Sequence, residues 1–189
     1  YKAEVARIAL DHGAVIVNDV SGLLYVSALA AVAGERGAAL VLMHNRGRSR
    51  DMYREAAYDE VGVEVAGELG DRIDVAIEAG VARSRIIIDP GLGFAKRAEH
   101  TFAALAALGR LALLDRPMLV GPSRKSFLGG DGDGGPDDRE WGTAAAVTAA
   151  VLDGAHIVRV HGVREMVQVV RVADRIRAHG AVPESVPAG

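Results

Sequence analysis

The sequence predicts an α/β chain of the (β/α)8 barrel type, represented by roughly the last five βα units. Apolar runs rich in Val, Ile and Leu alternate with longer amphipathic segments, the pattern of parallel strands buried on both faces. Every run ends in a chemically useful residue: Asn18 with Asp19, His44, Asp89, Lys125, and Arg159 with His161. An open doubly wound sheet concentrates function at one switch point, whereas a barrel collects it from many strand ends onto one face. The chain has 189 residues, fewer than the about 250 of a whole barrel.

The elements follow in order. Val5, Ile8 and Ala9 have helical spacing with no capping residue ahead of them, so the chain reads as beginning inside a helix, as though upstream sequence were absent. AVIVND (14–19) is a strand, and LLYVSALAAVAGERG (23–37) a helix closed by Gly37. AALVLMH (38–44) is the next strand, followed by a polar loop (46–58) and a long helix over 59–80. RIIIDPG (85–91) is a strand stopped by Pro90 and Gly91, both strong breakers. A helix over 100–111, a strand over 116–123 and a flexible Gly- and Asp-rich loop over 129–140 come next. A helix over 141–154, a strand over 155–162 and a helix over 163–180 complete one partial barrel domain, 1–180. AVPESVPAG (181–189) reads as a disordered tail.

Composition narrows the function. The formal charge of −3 lacks the basic excess of a general nucleic-acid binder. Cysteine is absent, which excludes a disulfide framework and a thiolate metal site. No apolar run approaches a membrane span, and YKAEVARIAL has neither the apolar centre nor the cleavage site of a signal peptide. A cytoplasmic protein with small-molecule partners, no nucleic acid and no membrane is the expectation.

Arg159 and His161 lie two apart on a strand, so both side chains point the same way, and Lys125 follows the preceding strand. In barrels the loops after the last two strands often hold phosphate, and the Arg fork suits phosphate oxygens. The structural alternative is a snorkelling Arg159 and a hydrogen-bonded core His161. Asp89 ends a fully apolar strand, and its carboxylate must find donors there. A ring with adjacent N–H groups, such as an aminopyrimidine, offers a two-pronged match, with Asn18 able to donate and accept beside it. Capping of the next turn by Asp89 and an Asx turn at Asn18 are the alternatives. GLGFAK (91–96) fails the dinucleotide fingerprint, because its third glycine would have to stand at Lys96. DGDGGPDD fails as a calcium loop at Gly135, Pro136 and Gly142, and the His residues have no zinc spacing. Arg46, Arg48, Arg50 and Arg54 read as a solvated basic run.

With these residues placed, the chain resembles the dihydropteroate synthase family of pterin-binding barrels over almost its whole length. IVNDVSG (16–22), LVLMHNRG (40–47), IIIDPGLGFAK (86–96), GPSRKSFLG (121–129) and IVRVHGV (157–163) are similar to five ordered family motifs. Asn45, Ala95, Arg97 and Gly162 depart from them. The resemblance implies condensation of a pterin methyl diphosphate with 4-aminobenzoate, releasing diphosphate, in a folate-pathway transferase that sulfonamides target. It implies Asp89 and Asn18 on the pterin edge, Met43 against the ring, and Lys125 with Phe94 lining the aminobenzoate pocket. It further implies Ser126 at a helix N-terminus receiving the aminobenzoate carboxylate. Arg159 and His161 would bind the leaving diphosphate. Lys125, Asp89 and Arg159 are the implied catalytic set. Mg²⁺ is the implied cofactor, held mainly by residues ahead of Tyr1, and a homodimer is the implied assembly. On the same grounds the chain is expected to have little activity alone. A non-catalytic pterin-binding paralogue and a folate-dependent methyltransferase domain are the alternatives.

Overall fold

The computed structural model describes residues 2–25, 28–47, 52–54, 56–129 and 135–180. Five short strands alternate with helices: α1 (Ala3–Asp11), β1 (Ile16–Asp19), α2 (Ala28–Glu35), β2 (Ala39–Met43), α3 (Val61–Glu78), β3 (Ile86–Asp89), α4 (Ala98–Ala106), α5 (Leu108–Leu111), β4 (Leu119–Val120), α6 (Glu140–Leu152), β5 (Ile157–Val158) and α7 (Val163–Gly180). β1, β2 and β3 pair in parallel, as do β4 and β5. A parallel bridge from Ile88 to Met118 joins the two groups. Spatial order therefore follows chain order, without the reversal that defines a doubly wound sheet. The α/β assignment and the parallel strands hold.

Alternation along the strands divides the apolar residues between two faces. Leu40, Leu42, Ile86, Ile88, Met118 and Val120 pack outward against the buried residues of α2 to α5. Val41, Ile87 and Leu119 form a separate small cluster on the opposite face. The register places Asn18 beside Val41 and Met43 beside Asp89. Asn18, Met43 and Asp89 thus share that inner face.

Several element bounds differ from expectation for local reasons. The segment 23–37 is not helical from its start. The buried Asp19 carboxylate instead accepts the N–H groups of Ser21 (3.0 Å) and Leu23 (2.7 Å) and the Ser21 hydroxyl (2.8 Å). Leu23 adopts φ +67° in this turn, and α2 begins only at Ala28. The helix expected over 100–111 starts earlier and breaks at Ala107. There α3 approaches so closely that a Cβ on Gly62 would lie 2.6 Å from Ala107 Cβ. β4 and β5 keep two ladder residues each, although Arg159 N–H still donates to Val120 O at 3.0 Å. The tail 181–189, residues 130–134 of the glycine-rich loop, and Arg48 and Arg50 of the basic run lie outside the described residues.

Candidate functional site

Parallel strands in chain order bring all their C-terminal ends to one rim, where Asn18, Met43, Asp89, Lys125, Arg159 and His161 gather. Asp89 is the most constrained. It is buried, and the one hydrogen bond to its carboxylate among the described residues comes from Gly91 N–H to Oδ1, at 2.8 Å. Burial pushes its carboxyl up, while that N–H and the cations of Lys125, Arg159 and Lys96 oppose the shift. Turn capping and an unspent acceptor edge therefore coexist at this residue. Met43 is buried beside it, and Asn18 is exposed on the same face.

Lys125 points into this region. Its Nζ donates to Leu92 O and sits 4.7 Å from the Phe94 ring centre. Burial lowers its pKa to about 8, with Asp89 opposing the shift and Arg159 adding to it. Gly121, Ser123, Lys125, Arg159, Val160 and His161 line one cavity. Gly121 lets the Arg159 guanidinium lie 3.4 Å from where a Cβ would stand. The buried Ser123 hydroxyl accepts His161 N–H (3.2 Å) and meets His161 Nδ1 at 2.8 Å. That double contact fixes the orientation of the His161 ring. The pairing of Arg159 with His161 is thus reproduced, and Ser123 joins them as the residue that fixes the imidazole.

Two sequence expectations need correction, and the neighbour of Lys125 behaves unlike it. Arg124 is adjacent to Lys125 but does not share its pocket. With φ +59° it turns away and binds Asp137 (2.6 Å) and Glu140 (3.2 Å). Its own N–H donates to Thr143 Oγ1, fastening the turn to α6. Ser126 does not head a long helix. It is exposed and opens a three-residue 3₁₀ turn, which carries little of the dipole expected there. Arg46 is not a solvated surface cation. Its guanidinium lies 4.0 Å over the Tyr58 ring and binds Glu64 (2.7 Å) and Glu68 (2.8 Å). Arg54 is exposed, as expected.

A buried polar chain lies beneath the rim. Lys96 Nζ reaches His44 Nδ1 at 2.8 Å, and His44 Nε2 reaches Glu68 Oε2 at 3.1 Å. Burial drives the His44 pKa down to about 4, and Lys96 and Arg46 add to the shift against the bond to Glu68. For Glu68 burial would raise the pKa, but bonds from His44 and Arg46 outweigh it and hold the carboxyl near about 2. An unfolded His44 binds its proton at its ordinary pKa of 6.5, so the unfolded state carries more protons between about 4 and 6.5. The His44 contribution to stability is complete above that window and falls as pH drops through it. A loss of roughly 3 kcal/mol in unfolding free energy is expected. Urea titrations at pH 7 and pH 4 measure it, and equal midpoints would contradict the burial of a neutral His44.

Two departures from the family motifs have structural accounts. Ala95 holds a left-handed φ of +48°, a conformation that suits glycine better, and its carbonyl accepts the Tyr58 hydroxyl at 2.9 Å. At Gly162 an added Cβ would lie 2.4 Å from Glu140 Oε1, so a neighbouring carboxylate fills that space. Among the described residues no group of three His, Asp or Glu side chains could hold a metal ion, and the pocket residues here do not make a Mg²⁺ site.

The profile of the family described as pterin binding enzyme matches residues 1–161. The chain belongs to that family. It is 44% identical over 176 residues to a dihydropteroate synthase of Synechocystis sp., covering 93% of this chain and 61% of that protein. A Yersinia pestis dihydropteroate synthase with a sulfonamide drug superposes with a TM-score of 0.89 at 32% identity, over 94% of this chain and 65% of that one. The Xanthomonas albilineans enzyme in complex with 7,8-dihydropteroate gives 0.84 at 36% identity, over 97% and 66%. The chain thus spans somewhat under two thirds of the length of these relatives. No described helix is long and apolar enough to cross a membrane.

Proposed function

We propose that this chain is the greater part of a dihydropteroate synthase barrel, a single domain over residues 1–180 that forms five of eight βα units. The reaction joins a dihydropterin methyl diphosphate to 4-aminobenzoate. The bond between the pterin methylene and the diphosphate oxygen breaks, and diphosphate leaves with the electron pair. The aryl amine then forms the new C–N bond and loses a proton. No protein nucleophile takes part, so placement and electrostatics carry the catalysis.

The observation that carries this reading is the opposition of one buried carboxylate, Asp89, to two cations at the same rim, Lys125 and Arg159. Asp89 accepts the adjacent N–H groups of the pterin edge, with Asn18 beside it and Met43 under the ring. Lys125 stands between the pterin and an aminobenzoate site formed with Phe94 and Ser126. Arg159 and His161 receive the diphosphate, with Ser123 holding the His161 ring in orientation. A cytoplasmic homodimer fits the same reading. Mg²⁺ is assigned no ligand and no step in this part of the protein.

The test is dihydropteroate formation from the two substrates by the complete polypeptide that carries this sequence, with Lys125→Ala alongside. Turnover reduced at least 100-fold in the variant is the expected result. A parent that binds pterin without forming product would instead mark a non-catalytic paralogue.

A further inference from the structure

Lys96 has no part in the chemistry above, yet it is among the most deeply buried side chains, at 2% exposure. Among the described residues no carboxylate lies within ion-pair distance of it. An ammonium in that position must be satisfied by other acceptors. Its Nζ has three: His44 Nδ1 at 2.8 Å, Phe94 O at 3.1 Å and Gly91 O at 3.3 Å. That is one acceptor for each ammonium N–H. Accepting at Nδ1 places the His44 proton on Nε2, from which it points to Glu68 Oε2 at 3.1 Å. Glu68 is tied in turn to Arg46. The line of bonds runs from two loop carbonyls, through the end of β2, to α3.

The two carbonyls belong to the turn that builds the pocket. Gly91 supplies the N–H on Asp89, Phe94 stacks beside Lys125, and Phe94 N–H closes the turn on Gly91 O at 3.0 Å. We infer that Lys96 is a positioning residue: its ammonium, oriented by His44 and Glu68, clamps the 91–94 turn and so holds Asp89 and Phe94 in their binding geometry. The consequence for pterin rests on the proposed function, whereas the clamp itself does not.

The clamp is responsive to pH. Burial lowers the Lys96 pKa to about 7, with Asp89 and Glu68 opposing the shift and Arg46 and Lys125 adding to it. The groups facing it are His44 at the end of β2, Arg46 and Tyr58 beyond it, Glu68 on α3, Asp89 on β3 and Lys125 after β4. His100 on α4 meets the Tyr58 ring edge-on, with ring centres 5.1 Å apart. As pH rises through 7 the ammonium loses a proton and the clamp loses a donor. Lys125 titrates nearby, but its shift arises from burial, Asp89 and Arg159, not from Glu68. Removing the Glu68 charge makes Lys96 give up its proton at lower pH and spares Lys125.

The experiment measures amide hydrogen exchange and calorimetric binding of 6-hydroxymethylpterin in the complete polypeptide. Lys96→Met should speed exchange at the Gly91 and Phe94 amides at least tenfold while amides of β2 and β3 stay protected. It should also weaken pterin binding at least tenfold at full stoichiometry. Glu68→Gln keeps an acceptor for His44 and should match the parent at pH 8, where Lys96 has lost its proton in both, yet exchange several-fold faster at those two amides at pH 6. Parental exchange in the Lys96 variant overturns the inference, as does loss spread evenly through β2 and β3. If that variant does not fold, Glu68→Gln decides alone, and the absence of any pH-dependent difference overturns it. A parent that binds no pterin would remove the proposed function, while the exchange rates still decide the clamp.

Discussion

Replacing Asp89 by Ala or Asn should weaken pterin binding on the order of 10²- to 10⁴-fold. A carboxylate that accepts two N–H bonds from one ring edge contributes roughly 1.5–3 kcal/mol per bond, and about 1.4 kcal/mol corresponds to tenfold in affinity. Asn matches the shape but turns one acceptor into a donor, so it should lose nearly as much as Ala. Stability should move the other way. Burial raises the Asp89 carboxyl, and one backbone N–H is its only hydrogen bond among the described residues. The free protein therefore carries an under-compensated buried acid. Asp89→Asn should melt at or above the parental temperature while losing ligand, the trade expected where a site is shaped for its substrate. Calorimetry with 6-hydroxymethylpterin and a thermal melt on the same sample check both halves. Parental affinity in either variant would remove Asp89 from the pterin site.

The strands are legible in the sequence because burial on both faces makes them continuous apolar runs. IIID and ALVLM could hardly be anything else. Which residues face inward is not legible, because it depends on the register that sets Val41 beside Ile87 and Met43 beside Asp89. The gathering of polar strand ends can be read for the same reason as the strands. A charge that closes an apolar run is costly to bury, so its place there marks a site. What adjacent residues do cannot be read. Arg124 and Lys125 look alike in the sequence, and only a left-handed φ at Arg124 sends one to α6 and the other to the pocket. Arg46 reads as a surface residue because its partners, Glu64 and Glu68, lie 18 and 22 residues away on α3. Lys96 stands out in the sequence only as the residue that spoils a glycine pattern. Its burial depends on His44, 52 positions earlier in the chain, and no local pattern encodes that contact.

Gly91→Ala should be the most damaging single-methyl change in the chain. Gly91 has φ +65°, and an added Cβ would stand 1.9 Å from His44 O and 3.0 Å from His44 C. Those are backbone atoms at the last rung between β2 and β3, where His44 N–H donates to Asp89 O at 2.8 Å. They cannot swing aside as a side-chain tip would, so the rung or the turn must open. Left-handed strain alone costs roughly 1–2 kcal/mol, and with the clash the total should exceed about 4 kcal/mol, at the extreme of single substitutions. For a domain of this size that corresponds to a melting point lower by roughly 10 °C or more. Gly93→Ala separates the two contributions. Its φ is +75°, but the nearest atom to its Cβ is Lys125 Cδ, at 3.4 Å on a flexible side chain. It should therefore show the conformational strain without the clash, lowering the melting point by only a few degrees. Thermal unfolding of the two variants side by side gives the comparison. If Gly91→Ala fell no further than Gly93→Ala, the close approach of the β3 turn to His44 would be absent in solution. The Gly91 amide alone, without that backbone contact behind it, would then have to hold Asp89 in place.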